Sequence, residues 1–338
     1  MVKYILKRLL MLIPVLIGVS LIVFILLRVA APDPAPVVLG EHATEESMEA
    51  WREASGLNDN IVKQYVDFIV NAVQGDFGES YYTNTSVIEE IGARFPATIE
   101  IAIFAIIVAS IFGILIGVIA AVKKNSIVDN ASMVLSLVGV SIPIFWLGIL
   151  LIILFTKVLG WLPASGRIDV TFSVNEITGL YLVDTLIAGD FAAFKNALWH
   201  LILPGMTLAL YTLAIISRMT RSSMLDTLNQ DYIRTARSKG LSEGKVIIKH
   251  GLRNALMPIV TVIGLQLGSL LGGAVLTETV FAWPGIGSYT VECINKSDFP
   301  VIQAVVLIIA TIFVFMNLIV DIIYTFLDPR IKYGRKEA

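Results

Sequence analysis

Apolar residues gather into six runs along this chain, at 9–27, 99–122, 131–155, 201–217, 255–276 and 301–326. Each is close to the roughly 20 residues that a helix needs to cross a bilayer, and each is therefore predicted to be a spanning helix. The first run follows Lys3, Lys7 and Arg8. A secretory signal begins in the same way, but its apolar core is ~7–15 residues long and ends in small residues, so this run reads as a retained helix, bent at Pro14. Between the first two runs the pattern changes. Residues 44–54 read as a capped amphipathic helix ended by Ser55-Gly56. Residues 60–73 read as a second, with Ile61, Tyr65, Phe68, Ile69 and Val73 on one side. A hairpin lying on the membrane surface and a dock for an external partner both fit that pattern.

Charge turns the six runs into a topology. Lys and Arg in short loops between spanning helices stay in the cytoplasm. With both termini inside, seventeen Lys and Arg fall inside and seven outside, with Arg28 at the outer end of the first helix. Residues 31–97 carry twelve acidic residues against Arg52, Lys63 and Arg94, a balance that belongs outside. The chain then divides into an N-terminal helix (1–30), an extracytoplasmic helical segment (31–97), a five-helix core (98–330) and a cytoplasmic tail (331–338). The core carries a cytoplasmic loop at 218–255. Composition agrees: of 338 residues, 56% are hydrophobic and only 15% charged, against ~25% in soluble domains. The fold class expected is an all-α, multi-pass membrane protein. A net charge of −2 adds little, because the charges are sorted by side. The single cysteine, Cys293, excludes an internal disulfide framework and a Cys-rich metal site, and reads as a small buried or interfacial residue.

Two runs carry small residues every fourth position: Ala105, Ala109, Gly113, Gly117 and Ala121 in the second, and Gly264, Gly268 and Gly272 in the fifth. Such stripes let helix backbones approach closely in lipid, although a glycine-lined pathway has the same appearance.

No catalytic set assembles. The nearest string to a phosphate-cradling loop, GLSEGKV at 240–246, has one residue too few between its glycines and lacks the Ser or Thr after Lys. His42, His200 and His250 lie in different loops or at span ends, which argues against a shared metal site and favours solvated or interfacial roles. Polar residues within or beside the spans are more informative. Ser141, Pro143 and Trp146 stand in VSIPIFW, mid-way along the third run, where the proline marks either a tolerated kink or a bend beside a pathway. Gln266 needs a hydrogen-bond partner, from a neighbouring helix or from a substrate backbone. After the fifth run, Trp283-Pro284-Gly285 and Gly287 predict a turn dipping back into the outer membrane face, with Trp283 at the interface. Glu278 and Asp298 in the same segment either meet a peptide's amino group or pair with Arg or Lys. Asn317 and Asp321 share a face of the last helix, and Asp321 is expected to pair with an Arg of the basic loop.

That basic loop, DYIRTARSKGLSEGKVIIKHGLRNALMP at 231–258, carries the sharpest local pattern. Asp231 suits a first helical turn, and Arg237 and Lys239 a last one. Gly240 follows as a left-handed helix end, and Ser242 can cap a second short helix. Ile233 and Ala236 share one face of the first helix, with Leu241 just past its end. A short, partly apolar helix flanked by Arg suits a groove on another protein; a solvated loop that only fixes topology is the plainer alternative.

The stretch resembles the cytoplasmic coupling loop of ABC importer permeases, whose general form is E-A-A-x3-G-x9-I-x-L-P. Arg234, Thr235 and Ala236 occupy the first three positions, so the leading Glu is absent, and Gly240 matches. Met257 stands where Leu is usual, and Pro258 comes later than the general form places it. The wording DY-x-RTA-R-x-KGL and RNA-x-x-P is that of the di- and oligopeptide branch. GDFGES, ARFPATIE, VSIPIFW, the 276–300 segment and NLIVDIIYTFLDPRI resemble the same branch, in order, over the full length. The resemblance implies a type I ABC importer permease fold in a bacterial inner membrane. It also implies a second, related permease, two ATPase subunits that hold ATP and Mg, and an external peptide-binding protein; nucleic acid has no part. It places ATPase coupling on Asp231, Arg234, Thr235, Ala236, Arg237, Gly240, Leu241 and Ser242, and the pathway beside Ser141, Pro143, Trp146, Gln266, Glu278, Trp283 and Asp298. The implied cargo is dipeptides or oligopeptides. Permeases of similar wording also serve nickel chelates, glutathione, haem or antimicrobial peptides. A secondary transporter would instead use mid-membrane carboxylates and repeated halves. Away from the span edges only Asp321 lies within a span, and it is off-centre.

Overall fold

The structure, a computed structural model, describes residues 2–29, 32–40 and 42–327. Helix α1 (Val2–Val29) is one continuous helix that Pro14 does not interrupt. A short α2 (Ala35–Leu39) precedes α3 (Glu45–Ala54) and α4 (Ile61–Val73). Both amphipathic helices begin where sequence placed them: the Thr44 and Asn60 side chains accept from Ser47 N and Val62 N at 3.2 and 2.9 Å. Thr44 and Asn60 thereby satisfy first-turn N–H groups that have no partner within the helix. The α4 face packs on α1, where Tyr65 meets Ser20 at 3.0 Å and stacks edge-on against Phe24.

Helices α5 (Val87–Val122) and α9 (Phe191–Leu228) form the most extensive pair. The small-residue stripe on α5 is the contact surface: Ala105 and Ala109 are fully buried. A β-carbon on Gly117 would sit 2.6 Å from the Ser217 carbonyl oxygen, and one on Gly113 3.2 Å from that of Leu213. These glycines make helix–helix contact, and Gly205 does the same on α9 beneath Phe104. The α12 stripe meets α15 in the same way, with Gly268 under Phe313 and Gly272 under Ile309.

The third apolar run is not one kinked helix. It splits into α6 (Ile127–Ser141) and α7 (Ile144–Ile152, extended by a π-type turn to Val158), bent by 101°. Ile142 precedes a proline and is extended (φ −79°, ψ 128°), because the proline ring excludes it from the helical region. A short α8 (Tyr181–Ile187) leads into α9. Beyond α9 come α10 (Asp231–Ser238), α11 (Glu243–Lys245), a π-type turn over Val246–Leu252, and α12 (Arg253–Gly273). Then follow α13 (Val275–Val280), α14 (Ile286–Asn295) and α15 (Phe299–Leu327), on which α1 also packs. Among the described residues five helices are long and apolar enough to cross a membrane, and the bent α6–α7 pair makes six. The bundle thus has a basic end, at α10, and an acidic end that holds α2–α4, α8, α13 and α14.

Candidate functional site

At the basic end, α10 and the turn after it form a corner. Ile233 and Ala236 are buried on Val246, with Leu228 against them, so the apolar side of this short helix is tied to its own chain. The other side is open: Asp231 and Arg234, 3.7 Å apart, have side chains 96% and 79% exposed. Thr235, Arg237, Leu241 and Ser242 are exposed beside them. Gly240 closes the helix at φ +72°, with its N–H donating to the Arg237 carbonyl at 2.9 Å. Arg237 then reaches across the corner to Glu243 at 2.8 Å. Ser242 stands at the start of α11, but its side chain makes no capping bond there; its carbonyl accepts from Val246 N at 3.0 Å instead.

Of the residues expected along a pathway, three lie at or beside the α6–α7 break. Ser141, Pro143 and Trp146 are exposed, and the Ser141 hydroxyl donates to the Leu137 carbonyl at 2.8 Å. Gln266 on α12 is half-buried, and its side chain makes no hydrogen bond among the described residues. The remaining three differ from expectation. Trp283 is not interfacial: it is 1% exposed, and its indole N–H donates to the Ala97 carbonyl at 2.8 Å. Glu278 is fully buried and makes no ion pair among the described residues. Its carboxylate accepts from the Thr98 hydroxyl at 2.7 Å and from Ser288 N at 2.9 Å. Thr98 in turn accepts from Ile286 N. Any side chain at Gly285 or Gly287 would strike the Glu278 carboxylate, which explains both glycines of PGIG. Asp298 is likewise buried, accepting from the Ser80 hydroxyl at 2.5 Å and Tyr81 N at 3.1 Å. Burial pushes both carboxyls above the ordinary carboxylate range, against these donors. Both carboxylates are thus buried and bonded within the chain, to hydroxyl and N–H groups rather than to Arg or Lys. Asp321 lies outside the residues whose side chains are described.

Other buried polar groups escaped the sequence reading. Arg167, from the loop after α7, donates to Glu100 at 2.8 Å and to the Gly179 carbonyl at 2.7 Å, with its guanidinium 3.8 Å over the Tyr181 ring. Leu182 N donates to the other Glu100 oxygen at 2.8 Å. Asp184 accepts from the N–H groups of Ile177, Thr178 and Gly179 and from the Thr178 hydroxyl. Burial opposes its ionisation, but those four donors outweigh it and hold the carboxyl below the ordinary range. At the basic end Asp129 is bound by Arg221, Nη2 donating at 2.8 Å. His200 is buried rather than solvated, with Nδ1 2.9 Å from the Asn196 carbonyl. Cys293 is buried as expected, its thiol pushed up to about 12 by that burial.

Comparison with known proteins identifies the family. Residues 113–333 match "Binding-protein-dependent transport system inner membrane component", and residues 1–102 match "Binding-prot-dependent transport system membrane comp, N-term". The chain is 49% identical over 333 residues to the "Dipeptide transport system permease protein DppB" of Alkalihalophilus pseudofirmus, covering 98% of this chain and all of the relative. It is 46% identical over 336 residues to the "Di/tripeptide transport system permease protein DppB" of Pseudomonas aeruginosa, at 99% and 100% coverage. It is 41% identical over 333 residues to the "Glutathione transport system permease protein GsiC" of Escherichia coli, at 98% and 100% coverage. Its apolar helices agree with a multi-pass place in the bacterial inner membrane. The chain belongs to the inner membrane components of binding-protein-dependent transport systems, ABC importer permeases of the type I fold.

Proposed function

We propose that this chain moves dipeptides or short oligopeptides into the cytoplasm by alternating access, driven by ATP hydrolysis in separate subunits. The relatives named for dipeptides, at 44–49% identity over nearly the whole chain, support that substrate class. In this reading the basic end and both termini are cytoplasmic, following the charge rule. A second, related permease completes the pathway, two ATPase subunits hold ATP and Mg, and an external binding protein delivers peptide at the acidic end. The chain itself carries no catalytic step. Ser141, Pro143, Trp146 and Gln266 border the pathway; Glu278, Trp283 and Asp298 shape its acidic end from within.

The observation that carries the coupling reading is the corner at α10. Its inner face is fixed to the chain by Ile233 and Ala236, while Asp231, Arg234, Thr235 and Arg237 face outward. A helix held in this way transmits a push from an ATPase into α9 and α12, between which it lies in the chain. Gly240→Pro is the direct test, since proline fixes φ near −65° where the corner needs +72°. The variant is expected to insert in the membrane at native levels and to lose uptake of labelled dipeptide. Normal uptake would remove the corner from the coupling path.

A further inference from the structure

Between α6 and α9, near the basic end, lies an open pocket of about 230 Å³. Ser132, Ser136, Ser217, Arg218 and Arg221 supply its polar walls. The donors divide unequally. The Ser132 and Ser136 hydroxyls donate to the Asp129 and Ser132 carbonyls of their own helix, and the Arg221 guanidinium is engaged by Asp129. Two donors remain. Arg218 is exposed and makes no ion pair or hydrogen bond among the described residues. Ser217 is 2% exposed, lines the pocket, and its hydroxyl has no hydrogen-bond partner among the described residues. With Asp129 cancelling Arg221, the pocket lining carries one uncompensated positive charge, on Arg218, and one free hydroxyl, on Ser217. That is the chemistry of an oxyanion site.

Its depth and its surroundings select the oxyanion. Arg218 is the first charge after the apolar stretch at 201–217, which puts it at the membrane boundary rather than at the bilayer centre. Met133 and Leu137, on the α6 wall, are 44% and 62% exposed, and Val134, Leu135 and Val138 continue an exposed apolar surface along α6. A polar head at the pocket and an apolar tail along the helix match a lipid, and basic pockets between spanning helices bind anionic head groups. We propose that this pocket binds the phosphate of an anionic phospholipid, with Arg218 and Ser217 as donors and an acyl chain against Leu137. A zwitterionic lipid carries its own cation beside the phosphate and leaves the Arg218 charge less well matched.

The test uses the intact complex reconstituted in phosphatidylcholine, alone or mixed with phosphatidylglycerol. A Leu137→Cys variant reports on the pocket through its rate of maleimide labelling, read on this chain alone after separation of the subunits, where the other cysteine, Cys293, is buried. Phosphatidylglycerol is expected to slow labelling several-fold, while the dipeptide Ala-Ala leaves the rate unchanged. Native mass spectrometry is expected to find phosphatidylglycerol retained by the parent complex and by Lys249→Gln, and lost from Arg218→Gln. Equal retention by Arg218→Gln overturns the assignment. So does protection by Ala-Ala without protection by phosphatidylglycerol, which would give the site to a substrate carboxylate. If Arg218→Gln does not assemble, the labelling comparison between the two lipid mixtures decides alone.

Discussion

Arg167 stands in a loop between two spans, yet its guanidinium ends inside the protein against Glu100, both side chains less than 10% exposed. Removing one member of such a pair leaves the other charge buried without a partner. Arg167→Ala is therefore expected to destabilise the chain by about 3–5 kcal/mol, read as thermal unfolding of the purified complex. Replacing Arg167 and Glu100 together with Met and Leu is expected to recover only part of that loss, because the Gly179 carbonyl and Leu182 N then lose their partners. Asp184 makes a pH prediction. Its folded-state carboxyl lies below the unfolded one, so its contribution is complete above the ordinary carboxylate pKa of about 4 and is lost as pH falls through the lower, folded value. An Asp184→Asn variant is expected to be less stable at neutral pH, and the gap to the parent is expected to narrow on acidification below about pH 4. A constant gap would contradict the assignment. Neither Arg167 nor Asp184 stood out in the sequence. Glu100 is 67 positions from Arg167, and nothing local marks a loop arginine that reaches back into a helix.

Helices were more legible, because each is written in local pattern. The caps at Thr44 and Asn60, the left-handed Gly240 and the small-residue stripes all act within a few residues of themselves. What local pattern could not give was the direction of a side chain set by distant packing. Trp283 beside Pro284 looks interfacial, but Ala97 offers its indole a carbonyl and the tryptophan turns inward. The third apolar run has the length of one span, and only the extended Ile142 reveals how far Pro143 turns it. The α5–α9 contact makes an element-scale prediction. A side chain on Gly117 would meet the Ser217 backbone, which cannot swing aside as a flexible side chain can. Gly117→Val is expected to destabilise the pair by about 1–3 kcal/mol, seen as a lower detergent-denaturation midpoint. Gly92, which has open space where a β-carbon would stand, is expected to accept alanine with little loss at the same readout.

At the scale of the molecule, the two ends of the bundle are built differently. The acidic end is locked by buried polar groups: Glu278 with Thr98, Asp298 with Ser80, and Glu100 with Arg167. The basic end presents an exposed helix whose fixed side rests on Val246, a form suited to being pushed. Family membership places such a chain among the permeases of ATP-driven importers, and the proposed coupling gives the corner its work. The most direct measurement is ATP hydrolysis by the complex that co-purifies with this chain, reconstituted in lipid and supplied with the external binding protein, with and without dipeptide. Peptide-loaded binding protein is predicted to stimulate hydrolysis, and Gly240→Pro to abolish that stimulation. Absence of any co-purifying ATPase activity, or hydrolysis indifferent to the loaded binding protein, would contradict the account.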